Sequence, residues 1–310
     1  MRGLELEWNG RPSVVCIAGP TASGKTGLAV RVAKAVGGEV VNADALQVYR
    51  DLSVLSARPI EAEMDGVPHH LFGYVPGGTI HSTGAWLRDV APVIDAIGAR
   101  GKVPVVAGGT GLYFKALLEG LADIPAIPDE VMGKLERLGP EHLREEAERV
   151  DPIAAARILG DDPQRLQRLI GVHRHTGRAL SDWQAETHPV LPQRATVRAV
   201  LLPDRAELYA RIDRRFDRMI ENGALEEARA VRAQRYPARA PMLKAIGLSH
   251  LLSHLDGECD LDTAVETAKR DSRRLAKRQM TWFRNRCADW TVLRTEREMD
   301  LFVNGLDLAA

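Results

Sequence analysis

Eight consecutive residues, Gly19-Pro20-Thr21-Ala22-Ser23-Gly24-Lys25-Thr26, fit the phosphate-loop pattern G-x-x-x-x-G-K-[ST] at every fixed position. In such a loop the backbone N–H groups converge on phosphate oxygens at a helix N-terminus, where the dipole favours negative charge. Lys25 adds a mobile cation, and Thr26 offers a hydroxyl to Mg²⁺. The pattern predicts a bound di- or triphosphate without saying which. Asp44 is the second candidate, an acid directly after the short strand-like run Glu39-Val40-Val41-Asn42-Ala43. An acid there can hold Mg²⁺, accept a proton or cap a following helix. Thr110 lies in Gly108-Gly109-Thr110-Gly111, where glycine either brings backbone close to a ligand or makes a plain strand-to-helix turn.

Two basic clusters complete the chemistry-bearing residues. Lys269 to Arg286 holds Lys269, Arg270, Arg273, Arg274, Lys277, Arg278, Arg284 and Arg286 against Asp271 alone. Interleaved with Trp282 and Phe283, these suit phosphate contacts and base stacking, or else a solvated helix whose aromatics pack inward. Arg165 and Arg168 form a smaller group, and Arg211, Arg214, Arg215 and Arg218 crowd one further stretch. His250 and His254 stand four apart, a metal-ligand spacing, but H-L-L-S-H supplies no third ligand and reads as a surface pair.

Elements able to position these groups follow from periodicity. Val14 to Ala18 is a β-branched apolar run before the loop, and Leu28, Val32 and Val36 keep helical spacing after it until Gly37-Gly38. Residues 39–43, 103–107 and 196–202 read as further strands, with a short one at 290–293. Strands alternating with helices imply a parallel sheet, whose ligands sit beyond the carboxyl ends of the strands. The strand ends at Gly19, Asp44 and Gly108 should therefore face one crevice. Residues 51–78, with Pro59, Pro68 and Pro76, read as loops. Residues 83–99 read as a helix kinked at Pro92. Residues 129–187 are polar and helical, an insertion in which Asp162 caps a helix whose first residue is Pro163. Helices are expected at 205–221, 223–235, 241–255 and 260–286.

Composition narrows the class. The 310 residues carry 42 basic and 42 acidic side chains, so only local asymmetry can point to an anionic partner. Three scattered cysteines support neither a disulfide framework nor a zinc site. Met1 to Arg11 does not read as a signal peptide, and no run approaches the ~20 apolar residues of a membrane span. A cytoplasmic protein is expected.

Taken together, the chain resembles the tRNA dimethylallyltransferases from about Val14 to Trp290. The resemblance rests on the phosphate loop (19–26), Asn42-Ala43-Asp44 with Gln47-Val48-Tyr49-Arg50, and Pro68-His69-His70-Leu71. It continues through Gly108 to Phe114, Asp162-Pro163-Gln164-Arg165, Ala245-Ile246-Gly247 and Ala276 to Arg284. It implies a P-loop NTPase-like α/β core at 1–120 and 190–310, with a helical subdomain at 121–189 gripping tRNA. The activity implied is transfer of a dimethylallyl group from dimethylallyl diphosphate to N6 of the adenosine 3′ of the anticodon, position 37. The tRNAs would be those reading codons that start with U. By resemblance Asp44 is the general base, Thr110 and Arg215 orient substrate, and Gly19 to Thr26 hold the diphosphate with Mg²⁺ at Thr26. Asp44, Ala45, Leu46 and Gln47 would touch the tRNA anticodon stem-loop, as would Gln164, Arg165, Leu166, Gln167 and Arg168. Arg273, Arg274, Lys277 and Arg278 would do the same. A monomer without membrane partners is expected. Ala45, Leu55, Met132 and Leu248 depart from the common pattern, and none is a proposed catalytic group. A free-nucleotide isopentenyltransferase shares the loop and the aspartate, but the polar insertion and basic helix favour a macromolecular acceptor. A small-molecule kinase and a non-catalytic RNA-binding protein are the remaining alternatives.

Overall fold

The structure is a computed structural model that describes residues 13–191 and 196–307; Met1 to Arg11, discussed above as a possible leader, lie outside them. The chain divides into two compact units, residues 1–114 with 191–310 and residues 115–190.

Among the described residues the strands are β1 (Val14–Ala18), β2 (Gly38–Asn42), β3 (His69–His70), β4 (Val103–Gly108), β5 (Thr196–Leu201) and β6 (Thr291–Leu293). They form one all-parallel sheet in the order β3-β2-β4-β1-β5-β6. The helices are α1 (Lys25–Val36), α2 (Glu61–Met64), α3 (Thr83–Ala99), α4 (Gly111–Glu119), α5 (Asp129–Leu135), α6 (Pro140–Val150) and α7 (Pro152–Ala156). They continue with α8 (Pro163–Thr176), α9 (Leu180–Ala185), α10 (Arg205–Glu221), α11 (Ala224–Ala233), α12 (Leu248–Leu255), α13 (Leu261–Arg286) and α14 (Glu296–Asp307).

The central strands are apolar on both faces because helices cover both, the usual pattern of a parallel sheet. Every residue of β1 is buried. Val15 and Ile17 pack with Val105, Val197, Leu201, the α1 residues Leu28, Val32 and Val36, and Phe302 and Leu306 of α14. Since β2, β4 and β1 are adjacent and parallel, their carboxyl ends lie side by side, and the crevice inferred from Gly19, Asp44 and Gly108 exists. The second unit has its own core, in which Leu135, Leu143, Ala147, Leu166, Leu169 and Ile170 are buried. Asp162 caps α8 by accepting from the Arg165 N–H, and Pro163 is the first helical residue.

Two expectations are corrected and one helix is added. The segment 51–78 is not all loop: it holds α2 and the two-residue β3, paired to β2 at Val40↔His69 and Val41↔His70. Two residues cannot display an alternating pattern; pairing to β2 and the His70–Glu39 contact define this edge. The helix expected at 241–255 is broken into a 3₁₀ turn at Pro241–Lys244 and α12, because Gly247 sits at φ 94°, outside helical space. A helix absent from the sequence reading, α14, covers α1. Of the two alternatives for the aromatics of α13, inward packing holds for Phe283, which is 1% exposed, while the half-buried ring of Trp282 lies against Gly111. Helix α3 does run from Thr83 to Ala99 through Pro92, capped by the Ser82 hydroxyl.

Candidate active site

The site is built at the ends of β1, β4 and β2. At β1 the chain leaves the sheet into the loop 19–26 and enters α1 at Lys25, with Gly24 at φ 93°. Lys25 Nζ donates to the Pro20 carbonyl at 3.2 Å. Burial, with the nearby Arg215 cation, pushes its pKa down to about 8, while the charge of Asp44 works in the opposite direction. Arg215, from α10, donates to the Thr21 hydroxyl at 3.4 Å. Burial holds its pKa below the usual guanidinium range too, with Asp44 countering. Two cations and one carboxylate thus face each other across the mouth of the loop.

The end of β2 fixes Asp44. Asn42, fully buried, accepts from the Asp44 N–H at 2.8 Å and donates to the carbonyls of Asp44 and Leu71 at 3.1 and 3.0 Å. The Asp44 carboxylate spends Oδ1 on the Leu46 N–H at 3.0 Å, which leaves Oδ2 for other work. At the end of β4, Thr110 accepts from the Ala45 N–H at 2.9 Å, so its own hydroxyl proton remains to donate. Gly108 has no room for a side chain: a Cβ there would lie 2.0 Å from the Ala43 carbonyl oxygen.

A cavity of about 330 Å³ joins these groups. Thr21, Asp44, Thr110, Arg215 and Gln279 form its polar wall, and Leu46, Leu55, Ile212, Phe216, Met219, Ile246 and Leu275 its apolar one. Loop residues Ser53 to Leu55 are held in place by one carboxylate, Glu227 of α11, which accepts from the N–H groups of Ser53, Val54 and Leu55 and from the Ser53 hydroxyl. Gln47 points its amide N–H₂ at the carbonyls of Ser56 and Ala57.

The structure therefore brings together Asp44, Ala45, Leu46, Thr110, Arg215 and the phosphate loop. It also shows which basic residues are already paired. Lys269 binds Asp217 and Glu266, Arg273 binds Asp213, and Arg274 binds Asp271 at 3.0 Å while staying 63% exposed. Lys277 and Arg278 are exposed. His250 contacts Asp271 and His254 the Cys259 carbonyl. Beside the reaction cavity, and sharing Ile246 with it, a second cavity of about 300 Å³ is lined by Lys244, Ser249, His250, Asp271, Arg274 and Arg278.

On α8, Gln164, Arg165 and Arg168 are exposed, whereas Leu166 is 0% exposed in the core of its unit. Leu166 cannot be a surface contact: with Leu169 and Ile170 it occupies the inward stripe of the helix. Arg165 pairs with Asp162 and Gln167 donates to the Leu135 carbonyl. Sequence reasoning gave no role to Asn42, Glu227 or Gln279, although Asn42 and Gln279 lie in stretches that carry the family resemblance.

Mg²⁺ fits the loop to a limited degree. Among the described residues no cluster of three His, Cys, Asp or Glu could cage a metal, while Thr26 is half-buried in the first turn of α1, directly after the loop lysine. One protein oxygen plus substrate phosphates and water is a usual Mg²⁺ environment.

Comparison with known proteins gives a consistent result. The IPP transferase family model matches residues 47–286, and the isopentenyl transferase model residues 12–81. A tRNA dimethylallyltransferase of Rhizobium leguminosarum bv. trifolii is 50% identical, over 88% of this chain and 94% of that protein. One from Maricaulis maris is 48% identical over 90% and 92%. Among solved structures, the tRNA isopentenylpyrophosphate transferase of Bacillus halodurans is 32% identical, covering 96% of this chain and 97% of its own, with a TM-score of 0.70. A eukaryotic dimethylallyltransferase acting on tRNA is 27% identical over 93% and 74%, with a TM-score of 0.79.

Proposed function

The chain belongs to the tRNA dimethylallyltransferases and is a tRNA prenyltransferase; from that premise we propose that it transfers dimethylallyl from dimethylallyl diphosphate to N6 of adenosine 37, 3′ of the anticodon, in tRNAs reading codons that start with U. The observation that carries this reading is one cavity lined by Asp44, by Thr21 of the phosphate loop, by Arg215 and by an apolar wall.

In this reading the diphosphate lies in the loop 19–26 under Lys25 and Arg215, and the prenyl group lies against Leu46, Leu55, Phe216 and Met219. As the allylic C–O bond lengthens, negative charge grows on the departing diphosphate. Preorganised loop amides and the two cations stabilise it without reorganising. Mg²⁺ held near Thr26 would neutralise further diphosphate charge when bound. The adenine amine forms the new N–C bond and sheds a proton, which passes to Asp44 Oδ2 because Oδ1 is occupied by Leu46. The Thr110 hydroxyl donates to substrate. An adenine in an anticodon loop reaches this cavity by leaving its stack. Arg274, Lys277 and Arg278 on α13, and Gln164, Arg165 and Arg168 on α8, supply phosphate contacts to the stem-loop; Arg273 serves α10 first. The enzyme works in the cytoplasm as a monomer.

Labelled dimethylallyl diphosphate, Mg²⁺ and unmodified tRNA carrying A-A-A after the anticodon, with AMP and ATP as parallel acceptors, test the reading. Label on tRNA alone is expected. Label on AMP or ATP would move the protein to the free-nucleotide class, and no transfer by folded protein would remove the assignment.

A further inference from the structure

Gln279 belongs to the basic helix, yet its side chain does nothing with charge. Its Oε1 accepts from the Thr21 N–H at 3.0 Å, across 258 residues of sequence. Its Nε2 donates to the Gly109 carbonyl at 2.9 Å, across 170 residues. The amide orientation is unambiguous, since a backbone N–H can only donate and a carbonyl can only accept. One side chain therefore joins the phosphate loop at the end of β1 to the turn at the end of β4.

The neighbourhood gives that link a chemical meaning. A Cβ on Gly109 would sit 3.0 Å from Gln279 Nε2, 3.2 Å from Asp44 Oδ2 and 3.5 Å from the Gly19 carbonyl. Amide, carboxylate and loop backbone thus crowd one point that only glycine leaves open. Thr21 is held twice, by Gln279 at its N–H and by Arg215 at its hydroxyl. With its N–H taken, Thr21 offers no amide to a ligand, so the diphosphate must engage the amides further along the loop.

Resting on the prenyltransfer reading above, we propose that Gln279 is a positioning residue that sets the distance between the diphosphate cradle and the Asp44–Thr110 side of the crevice. It touches neither reacting atom. It fixes how far the leaving group sits from the base, a separation to which rate is steeply sensitive. Only an amide serves both ends: a carboxylate could still accept from Thr21, but would oppose the Gly109 carbonyl and place a second negative charge beside Asp44 and the diphosphate.

The test compares Gln279→Met and Gln279→Glu with the unaltered protein, both close in size to glutamine. Three readouts are taken: inorganic pyrophosphate binding by calorimetry, kcat and KM for prenyl transfer, and tRNA affinity, with melting temperature as the folding control. Expected is a graded loss of pyrophosphate affinity, glutamine above methionine above glutamate. Transfer kcat/KM for the donor should fall about 10–100-fold in Gln279→Met, as for a misplacement of about an ångström. Affinity for tRNA should stay within about twofold of the unaltered protein, since no phosphate contact is removed. Unchanged pyrophosphate affinity in both variants would overturn the proposal, as would a loss confined to tRNA affinity. Absence of transfer by the unaltered protein would instead strike the reading it rests on, and the pyrophosphate series would still decide the role of Gln279.

Discussion

The crevice at the sheet and the outer face of α8 use polar side chains in opposite ways. In the crevice, Asn42, Asp44, Thr110 and Gln279 each spend hydrogen bonds on backbone groups, and each is left with at most one function to offer a ligand. On α8, Gln164, Arg165 and Arg168 stand exposed on a helix whose other face holds the core. The first arrangement fixes atoms to fractions of an ångström, as bond making requires. The second supplies charge at approximate positions, which is enough for phosphates whose counterions are released on binding. Geometry is invested where bonds change, and charge where a macromolecule is gripped.

The largest effect that would break this contrast is at Asp44. Asp44→Ala should lower turnover by about 10²–10⁴-fold, the range for losing a general base. Asn42 still holds the backbone there, so tRNA affinity should be unchanged; a single-turnover transfer assay with a filter-binding control reads both, and an undiminished rate would remove Asp44 from the chemistry. Next comes the pH dependence of donor binding. Lys25 titrates near 8 in the free site, depressed by burial and Arg215. It is cationic below that pH and neutral above it, and the diphosphate binds the cation. Affinity for dimethylallyl diphosphate should be level below about pH 8 and fall by about tenfold per unit above it, a slope of one proton. Lys25→Met should abolish the slope; calorimetry between neutral and alkaline pH follows it. Smallest is the double change Arg165→Ala with Arg168→Ala. Loss of two phosphate contacts should weaken tRNA binding only severalfold and lower the salt slope by about 1.4, with kcat intact. A fall in kcat with affinity unchanged would give α8 a part in the chemistry and erase the distinction.

Legibility divides along the same line. The loop 19–26 could be read because its pattern is contiguous and framed by a β-branched strand and an amphipathic helix. Asp44 could be placed because its strand ends beside it in sequence. Nothing local announces the role of Gln279, whose partners lie 258 and 170 residues away, or of Glu227, which holds Ser53 to Leu55 across 172 to 174 residues. The 3₁₀ turn before α12 escaped periodicity because the apolar spacing runs on through Gly247 while the backbone does not. Leu166 stands among charged neighbours in the sequence, but its own type and its spacing to Leu169 and Ile170 place it inside.

The order of the strands has a consequence for how the molecule comes into being. Strand β1, synthesised early, pairs with β4 on one side and with β5 on the other, Val14 opposite Thr196. Its loop then waits for residue 279 before Thr21 is secured. At about 5–20 residues per second of translation, that interval is about 13–50 s. Throughout it, the loop lacks the Gln279 bond that holds Thr21 in the finished molecule, and chains stopped before α13 carry the signature loop without that constraint.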